Sequence, residues 1–202
     1  EIPENLRRQF LDGASVSEST HPAPGTLSAG VNNAVDEDQY VVGSGDGFEI
    51  RLLEMPSVVY KAQVNEDCDV VVSDYGILSL EKSTLRQAKQ ALAEFFREKA
   101  HNPGAVYVTF VRAKEVTLRI TIDTLSAAVT LSGVHRVTEA LREAFGDRMP
   151  AISGHNYRSV ECHIGDSLTY LDLLEAILQA NHEQNPYVYP GMHIVLKPAT
   201  RT

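Results

Sequence analysis

A glycine-rich stretch at residues 41–50, VVGSGDGFEI, contains the residue types from which phosphate-binding loops are built. A dinucleotide-binding loop has glycine at the sixth position of G-x-G-x-x-G and opens a helix whose N-terminus meets the pyrophosphate. Counted from Gly43, the sixth position is Phe48, and a pattern typical of a strand follows. A P-loop would need Gly-Lys-Ser/Thr, which the sequence does not contain. We therefore interpret the stretch as a turn that enters a strand.

Other patterns that would indicate catalysis or metal binding are also missing from the sequence. It contains no G-x-S-x-G, H-E-x-x-H, H-x-H or C-x-x-C pattern. Its carboxylate runs at residues 35–38 and 65–67 fall in an N-terminal arm or in predicted turns. Cys162 and His163 are adjacent, so in a predicted strand they face opposite sides and are poorly placed to share a metal ion. We predict that the protein is not an enzyme and has no cofactor and no metal site.

Aromatic and thiol side chains each leave two interpretations open. Tyr170, Tyr187 and Tyr189 are candidate ligand-binding residues because their rings could stack on sugar rings. Tyrosines near a sheet edge also pack on a core with their hydroxyls in water, and we favour this second interpretation. Cys68 and Cys162 are far apart in sequence and are either two separate buried thiols or, in an oxidising compartment, a disulfide that joins the two halves.

Composition and charge limit the range of partners. The chain has 202 residues, 43% of them hydrophobic, and a formal net charge of −9. Nucleic acid and anionic membrane surfaces are therefore disfavoured as main partners, since both attract clustered Lys and Arg. No stretch approaches the roughly 18 consecutive apolar residues of a membrane-spanning helix.

The hydrophobic pattern divides the chain into an arm and two units. Residues 1–36 are rich in Ser, Pro, Gly and Asn without a sustained period, which predicts an extended arm. Residues 37–112 alternate at 48–52, 58–64 and 70–72, with Pro56 closing the first strand. A helical stripe then runs from Leu85 to Phe96 behind a Thr84–Gln87 capping box, and a last strand follows at 105–111.

Residues 113–202 form the second unit. Strands are predicted at 115–123 and 127–133, and a helix at 137–146 with Gly146 as its C-cap. A strand at 157–166 and a short helix at 171–180 follow, the latter with Leu171, Leu174, Ile177 and Leu178 facing inward. A turn and a final strand occupy 185–198. Two strands, a helix and further short strands are the order expected of a ubiquitin-like β-grasp unit, so the predicted fold class is α+β.

The order of these motifs resembles the bacterial polysaccharide biosynthesis/export family, the Wza-like capsule and exopolysaccharide export proteins. The opening motif of the family's export domain is matched by Val42, Gly43, Gly45, Asp46, Phe48, Ile50 and Pro56. A second export-domain motif is matched by Tyr75, Gly76, Leu78, Leu80 and Thr84. The C-terminal half is similar to the soluble-ligand-binding β-grasp (SLBB) domain, whose last turn is matched by Pro186, Pro190 and Gly191.

The resemblance implies a location in the periplasm or at the outer membrane. It also implies a homo-oligomeric ring whose lumen conducts a polysaccharide, with an inner-membrane polysaccharide copolymerase as partner. We expect a shorter relative, or a fragment of a longer one, because one SLBB unit is visible. The alternative is a stand-alone β-grasp module that binds a small ligand or sugar and forms no conduit.

Overall fold

The computed structural model of the chain describes residues 35–72, 75–100, 104–146 and 154–199. Within these ranges the chain is a mixed α+β protein with three α-helices and several sheets, which confirms the predicted class. Most of the predicted arm at 1–36 lies outside the described residues. None of the helices in the described ranges is long and apolar enough to cross a membrane.

The first half contains a three-stranded antiparallel sheet with a helix packed on it. Its elements are β1 (Gly47–Leu52), β2 (Met55–Gln63), β3 (Asp69–Val72), β4 (Gly76–Ser79), α1 (Leu85–Lys99) and β5 (Val106–Arg112). Strand β1 lies between β2 and β5, whereas β3 and β4 form a separate hairpin. The alternation of β1 buries Phe48, Ile50 and Leu52 in one apolar cluster with the α1 stripe.

The capping box predicted at the start of α1 is present. Thr84 Oγ1 accepts a hydrogen bond from Gln87 N at 3.3 Å, and the Gln87 side chain accepts one from Thr84 N at 3.0 Å. These two bonds satisfy donors that the first helical turn leaves free, so the helix begins at Leu85. Pro56 does not close β1 as predicted: β1 ends at Leu52, and Pro56 is the second residue of β2.

The second half contains one five-stranded sheet in the order β7-β6-β10-β8-β9. Its strands and helices are β6 (Glu115–Ile122), β7 (Leu125–Ser132), α2 (Val137–Phe145), β8 (Val160–Ile164), β9 (Ser167–Leu171), α3 (Leu173–Gln179) and β10 (His193–Leu196). The central strands β6 and β10 are parallel, and the other neighbouring pairs are antiparallel. Alternate residues of β6, among them Val116 and Ile120, are buried in a second apolar cluster.

The region around α3 differs from its prediction. Residue Leu171 ends β9, a strand that the pattern did not predict, and α3 begins at Leu173 with Asp172 as its N-cap. Ile177 and Leu178 were expected to face inward but are 58% and 70% exposed. The helix has about two turns, and Leu173 is its one buried residue.

Candidate functional site

Asp46 of the glycine-rich stretch is fully buried and holds three hydrogen-bond donors. Its Oδ1 accepts bonds from the Tyr40 hydroxyl and from Lys114 N, both at 2.7 Å, and its Oδ2 accepts one from Gly43 N at 2.8 Å. Gly43 belongs to the turn before β1, whereas Lys114 lies between β5 and β6. One carboxylate therefore fixes the entry to the first sheet and the connection between the two halves.

Burial governs the protonation of this network. It raises the pKa of Asp46, against the hydrogen bonds from Tyr40, Gly43 and Lys114, which lower it. Burial also raises the pKa of Tyr40 well above the usual range, and the nearby Asp46 charge raises it further. The Tyr40 hydroxyl consequently keeps its proton and remains a donor to Asp46.

Lys114 places a cation between the two halves of the molecule. Its side chain is buried, and Nζ donates a hydrogen bond to the carbonyl oxygen of Val41 at 2.6 Å. Nζ also lies 5.1 Å from the ring centroid of Tyr40 and 5.2 Å from that of Tyr189, within the range of cation–π attraction. Burial lowers the pKa of Lys114, while the negative charge of Asp46 opposes this shift.

Two glycines make room for this lysine. A Cβ at Gly43 would lie 2.9 Å from Lys114 Nζ, and a Cβ at Gly133 would lie 3.0 Å from Lys114 Cγ and 3.1 Å from the Tyr40 hydroxyl oxygen. Gly45 has a different role, since its φ of 96° is one that L side chains rarely adopt. The stretch is a turn that leads into β1, as predicted, and its glycines serve both backbone conformation and close packing.

Tyr187 belongs to the second half but packs against the first core. Its ring meets that of Tyr40 edge-on, with centroids 5.5 Å apart, and the Arg136 guanidinium lies 4.2 Å from the Tyr187 centroid. Its hydroxyl accepts a hydrogen bond from Asp36 N at 2.8 Å. Arg136 in turn donates to the side chain of Gln39 and to two carbonyl groups of the second half. Tyr187 is thus held by partners from both halves.

We define the junction as Tyr40, Gly43, Asp46, Lys114, Gly133, Arg136, Tyr187 and Tyr189, and a cleft opens beside it. The cleft has a volume of about 330 Å³ and is lined mainly by apolar groups, including Leu171 and Met192, together with Tyr187 and Tyr189. Glu183 is the one charged residue among the described residues that line it. This arrangement suits a small, largely apolar ring and supplies no nucleophile–base pair.

A second and larger depression lies on the helical side of the second half. It has a volume of about 970 Å³, and its lining includes Arg136 and Arg142 of the α2 region and Ile177 of α3. Tyr187 lines both this groove and the cleft.

The three tyrosines considered as candidate ligand-binding residues are not brought together. Tyr187 and Tyr189 line the cleft, and so does Thr169 of β9. Because neighbouring residues of a strand face opposite sides, Tyr170 lies on the other face of the sheet, where it is 56% exposed and opposite Glu161. Tyr170 therefore does not share the cleft with Tyr187 and Tyr189.

The two cysteines are free thiols in the structure, so the disulfide alternative is not realised. Cys162 is buried in the second apolar cluster, whereas Cys68 packs against the first. Burial raises the pKa of the Cys162 thiol, which disfavours its reactive thiolate form. The interpretation of two separate thiols fits this placement.

The remaining motif residues occupy turns and caps. Gly76 opens β4 with a φ of 122°, and Gly191 precedes β10 with a φ of 75°. Pro190 lies in the same turn as Gly191, and the Pro186 carbonyl accepts a hydrogen bond from Val137 N at 3.1 Å. These residues shape turns and strand ends and do not converge on one chemical centre.

No family model matches the sequence, and no curated protein matches it significantly. The family resemblance therefore rests on the sequence motifs. In the described part of the chain, no three His, Cys, Asp or Glu side chains are grouped so that they could hold a metal ion. Sequence reasoning selected Asp46 and Tyr187 but missed Lys114 and Gly133, because no local pattern indicates that a lone lysine or glycine will be buried.

The lowered pKa of Lys114 predicts a specific dependence of stability on pH. Between the lowered value and the ordinary value of 10.5, the unfolded chain binds a proton that the folded chain has released. Stability therefore rises with pH across this window. We expect the free energy of unfolding of the wild type, relative to Lys114→Met, to increase as pH is raised toward 10.5, as measured by urea unfolding. A difference that stays constant with pH would contradict this prediction.

Proposed function

We propose that the protein is a periplasmic component of a capsule or exopolysaccharide export system, where it acts as a non-catalytic, homo-oligomeric scaffold or conduit. The observation that carries the proposal is the sheet order β7-β6-β10-β8-β9 with parallel central strands. A β-grasp domain has this order, with a helix between its second and third strands, as α2 follows β7 here. We accordingly propose an export domain at 37–112 and an SLBB β-grasp domain at 113–202.

The junction gives the matched motif residues a physical role that supports this proposal. Asp46 lies in the motif that resembles the start of an export domain, and it binds the backbone of Lys114 at the start of the next unit. Tyr187 comes from the segment similar to the last turn of an SLBB domain, and it packs on the first core. A motif that joins two units suits a scaffold in which they act as one body.

The proposed partners follow from the resemblance and from the charge. They are further copies of the chain, an inner-membrane polysaccharide copolymerase and the polymer itself. The net charge of −9 disfavours nucleic acid as a partner. Where acidic groups of the protein face the polymer, they would repel a strongly anionic chain, so a weakly charged or neutral polymer is favoured. Export of a finished polymer requires no bond to be made or broken, so no catalytic residue is assigned.

A deletion strain of the source organism tests the proposal directly. Loss of this gene is expected to remove most polysaccharide from the cell surface, with polymer or precursor retained inside, and a complementing copy is expected to restore it. The measurement is surface and intracellular polysaccharide in the deletion, complemented and parental strains. Unchanged surface polymer in the deletion strain would rule out the conduit.

The cleft beside Tyr189 favours a second candidate, a β-grasp module that binds a small ligand or sugar. Its volume of about 330 Å³ is within the size range of small-molecule sites, and two of its lining residues are tyrosines. A conduit needs a closed assembly, whereas a binding module does not. Unchanged surface polymer in the deletion strain, together with a monomeric protein in solution, would favour this candidate.

A further inference from the structure

We infer that copies of this chain assemble by joining the two open edges of the five-stranded sheet, with β9 of one copy pairing with β7 of the next. The inference rests on the homo-oligomeric scaffold proposed above and specifies the surface that builds it. It names a second copy of this chain as the partner and backbone hydrogen bonding as the chemistry of recognition.

Among the described residues, no further strand pairs with either outer strand of the sheet. In the described ranges, β7 pairs with β6 alone and β9 pairs with β8 alone. One outward group there has a backbone partner: the Ser132 carbonyl at the end of β7 accepts a hydrogen bond from His135 N at 3.0 Å. In an antiparallel pair, alternate residues bond the partner strand and the others direct N–H and C=O outward. Leu125 and Ser167 close the two-residue hairpins as bonded pairs. Because bonded and non-bonded positions alternate from these residues onward, the backbone groups of Ala128 and Leu168 face outward.

These edges lack the features that usually prevent strands from pairing with other chains. Exposed edge strands are commonly protected by Lys, other charges or Pro. The sequences LSAAVTLS of β7 and SLTYL of β9 contain no charged residue and no proline. By contrast, β2 at the edge of the first sheet carries Pro56 and Lys61, and β5 at its other edge carries Arg112. Of the two larger sheets in the described ranges, the five-stranded one is thus the sheet with uncharged edges; β4 of the separate hairpin is also uncharged but has only four residues.

Exposed apolar side chains accompany both free edges. Leu125 of β7 is 63% exposed and Leu168 of β9 is 45% exposed. Pairing of the two edges would cover part of this surface while satisfying the outward backbone groups. The same contact therefore supplies both hydrogen bonds and apolar burial.

The strand directions determine how the two edges would meet. Strands β6 and β10 run one way, β7 and β8 run the opposite way, and β9, antiparallel to β8, runs with β6. If neighbouring copies are related by rotation about an axis along the strands, each strand keeps its direction from one copy to the next. Because β9 and β7 run in opposite directions, β9 of one copy then meets β7 of the next as an antiparallel pair. All five residues of β9 can pair along the eight residues of β7. Since the two surfaces differ, the contact is head-to-tail and closes into a ring when the rotation permits.

Blocking each edge separately tests the inference. Ala128→Pro removes an outward N–H from β7, and Leu168→Pro removes one from β9. Neither N–H bonds the neighbouring strand of its own sheet, so the existing sheet loses no hydrogen bond. The full-length wild type is expected to form assemblies larger than a dimer by light scattering, and each variant alone is expected to be monomeric. An equal mixture of the two is expected to form a heterodimer and stop, because one intact β9 meets one intact β7.

Far-UV circular dichroism and thermal unfolding establish that each variant is folded. Ala128→Lys and Leu168→Lys are a second pair of edge variants, which add a charge to each edge but keep its backbone N–H groups. Gln90→Lys on the exposed side of α1 is the matched charge control.

A wild type that stays monomeric, or folded edge variants that assemble like the wild type, would overturn the inference. If the folded edge variants assemble and the deletion strain loses surface polymer, the edge-pairing inference fails and the proposed export function stands. If the edge variants are monomeric but restore surface polymer when expressed in the deletion strain, the oligomeric conduit fails and the edge-pairing inference stands.

Discussion

Replacing Asp46 with alanine is expected to lower the free energy of unfolding by about 3 kcal/mol. Three buried donors, the Tyr40 hydroxyl and the backbone N–H groups of Gly43 and Lys114, would lose their acceptor. Each buried donor left unpaired costs about 1–3 kcal/mol. Removal of a desolvated carboxylate offsets part of this loss, as the raised pKa of Asp46 indicates. The net effect remains large because the donors belong to the connection between two cores.

Urea unfolding followed by far-UV circular dichroism measures this change, since the sequence contains no tryptophan to report by fluorescence. Asp67→Ala is the matched control, because Asp67 is exposed and lies in a turn of the same half. The control is expected to stay within about 0.5 kcal/mol of the wild type. An Asp46→Ala variant as stable as this control would show that the hydrogen-bond network contributes little to the fold.

Replacing Gly133 with alanine is expected to destabilise the protein by about 1–3 kcal/mol, the usual cost of overpacking a tight site. The new Cβ would lie 3.0 Å from Lys114 Cγ and 3.1 Å from the Tyr40 hydroxyl oxygen. Neither neighbour can retreat easily, because Tyr40 is bonded to Asp46 and Lys114 Nζ is bonded to the Val41 carbonyl. The strain therefore falls on the contact between the two halves.

Gly154→Ala provides the comparison for this substitution. A Cβ at Gly154 meets nothing within 4 Å, and its φ is not in the left-handed region. Gly154→Ala is expected to be neutral or to stabilise the protein by up to about 1 kcal/mol, because alanine lowers the conformational entropy of the unfolded chain. If Gly133→Ala has the same effect as Gly154→Ala in urea unfolding, the close packing at the junction is not a source of stability.

The longer and strongly patterned elements could be predicted from the sequence. Strand β6 alternates apolar and polar residues over its whole length, so burial of one face determines its conformation. Helix α1 has a full apolar stripe and a capping box, and both signals lie within the element itself. Where burial and local hydrogen bonding agree, the prediction was confirmed.

The short strands β4 and β9 were missed for the opposite reason. Strand β4 has four residues and pairs only with β3, while β9 is an exposed edge strand without alternation between apolar and charged residues. Such segments become strands because a neighbour offers hydrogen bonds, and the sequence of the segment does not reveal the neighbour. The same lack of context led to Ile177 and Leu178 being predicted inward on a helix that exposes both.

By itself, the sequence determined the α+β class, the turn through which the stretch at 41–50 enters a strand, and the selection of Asp46 as a motif residue. Only the tertiary structure decided that Asp46 binds Lys114 from the other half, that Gly133 makes room for this lysine, and that Tyr170 faces away from Tyr187. Local patterns record which side of an element is buried. They do not record what it is buried against, because partners distant in sequence meet only when strand order and register bring them together.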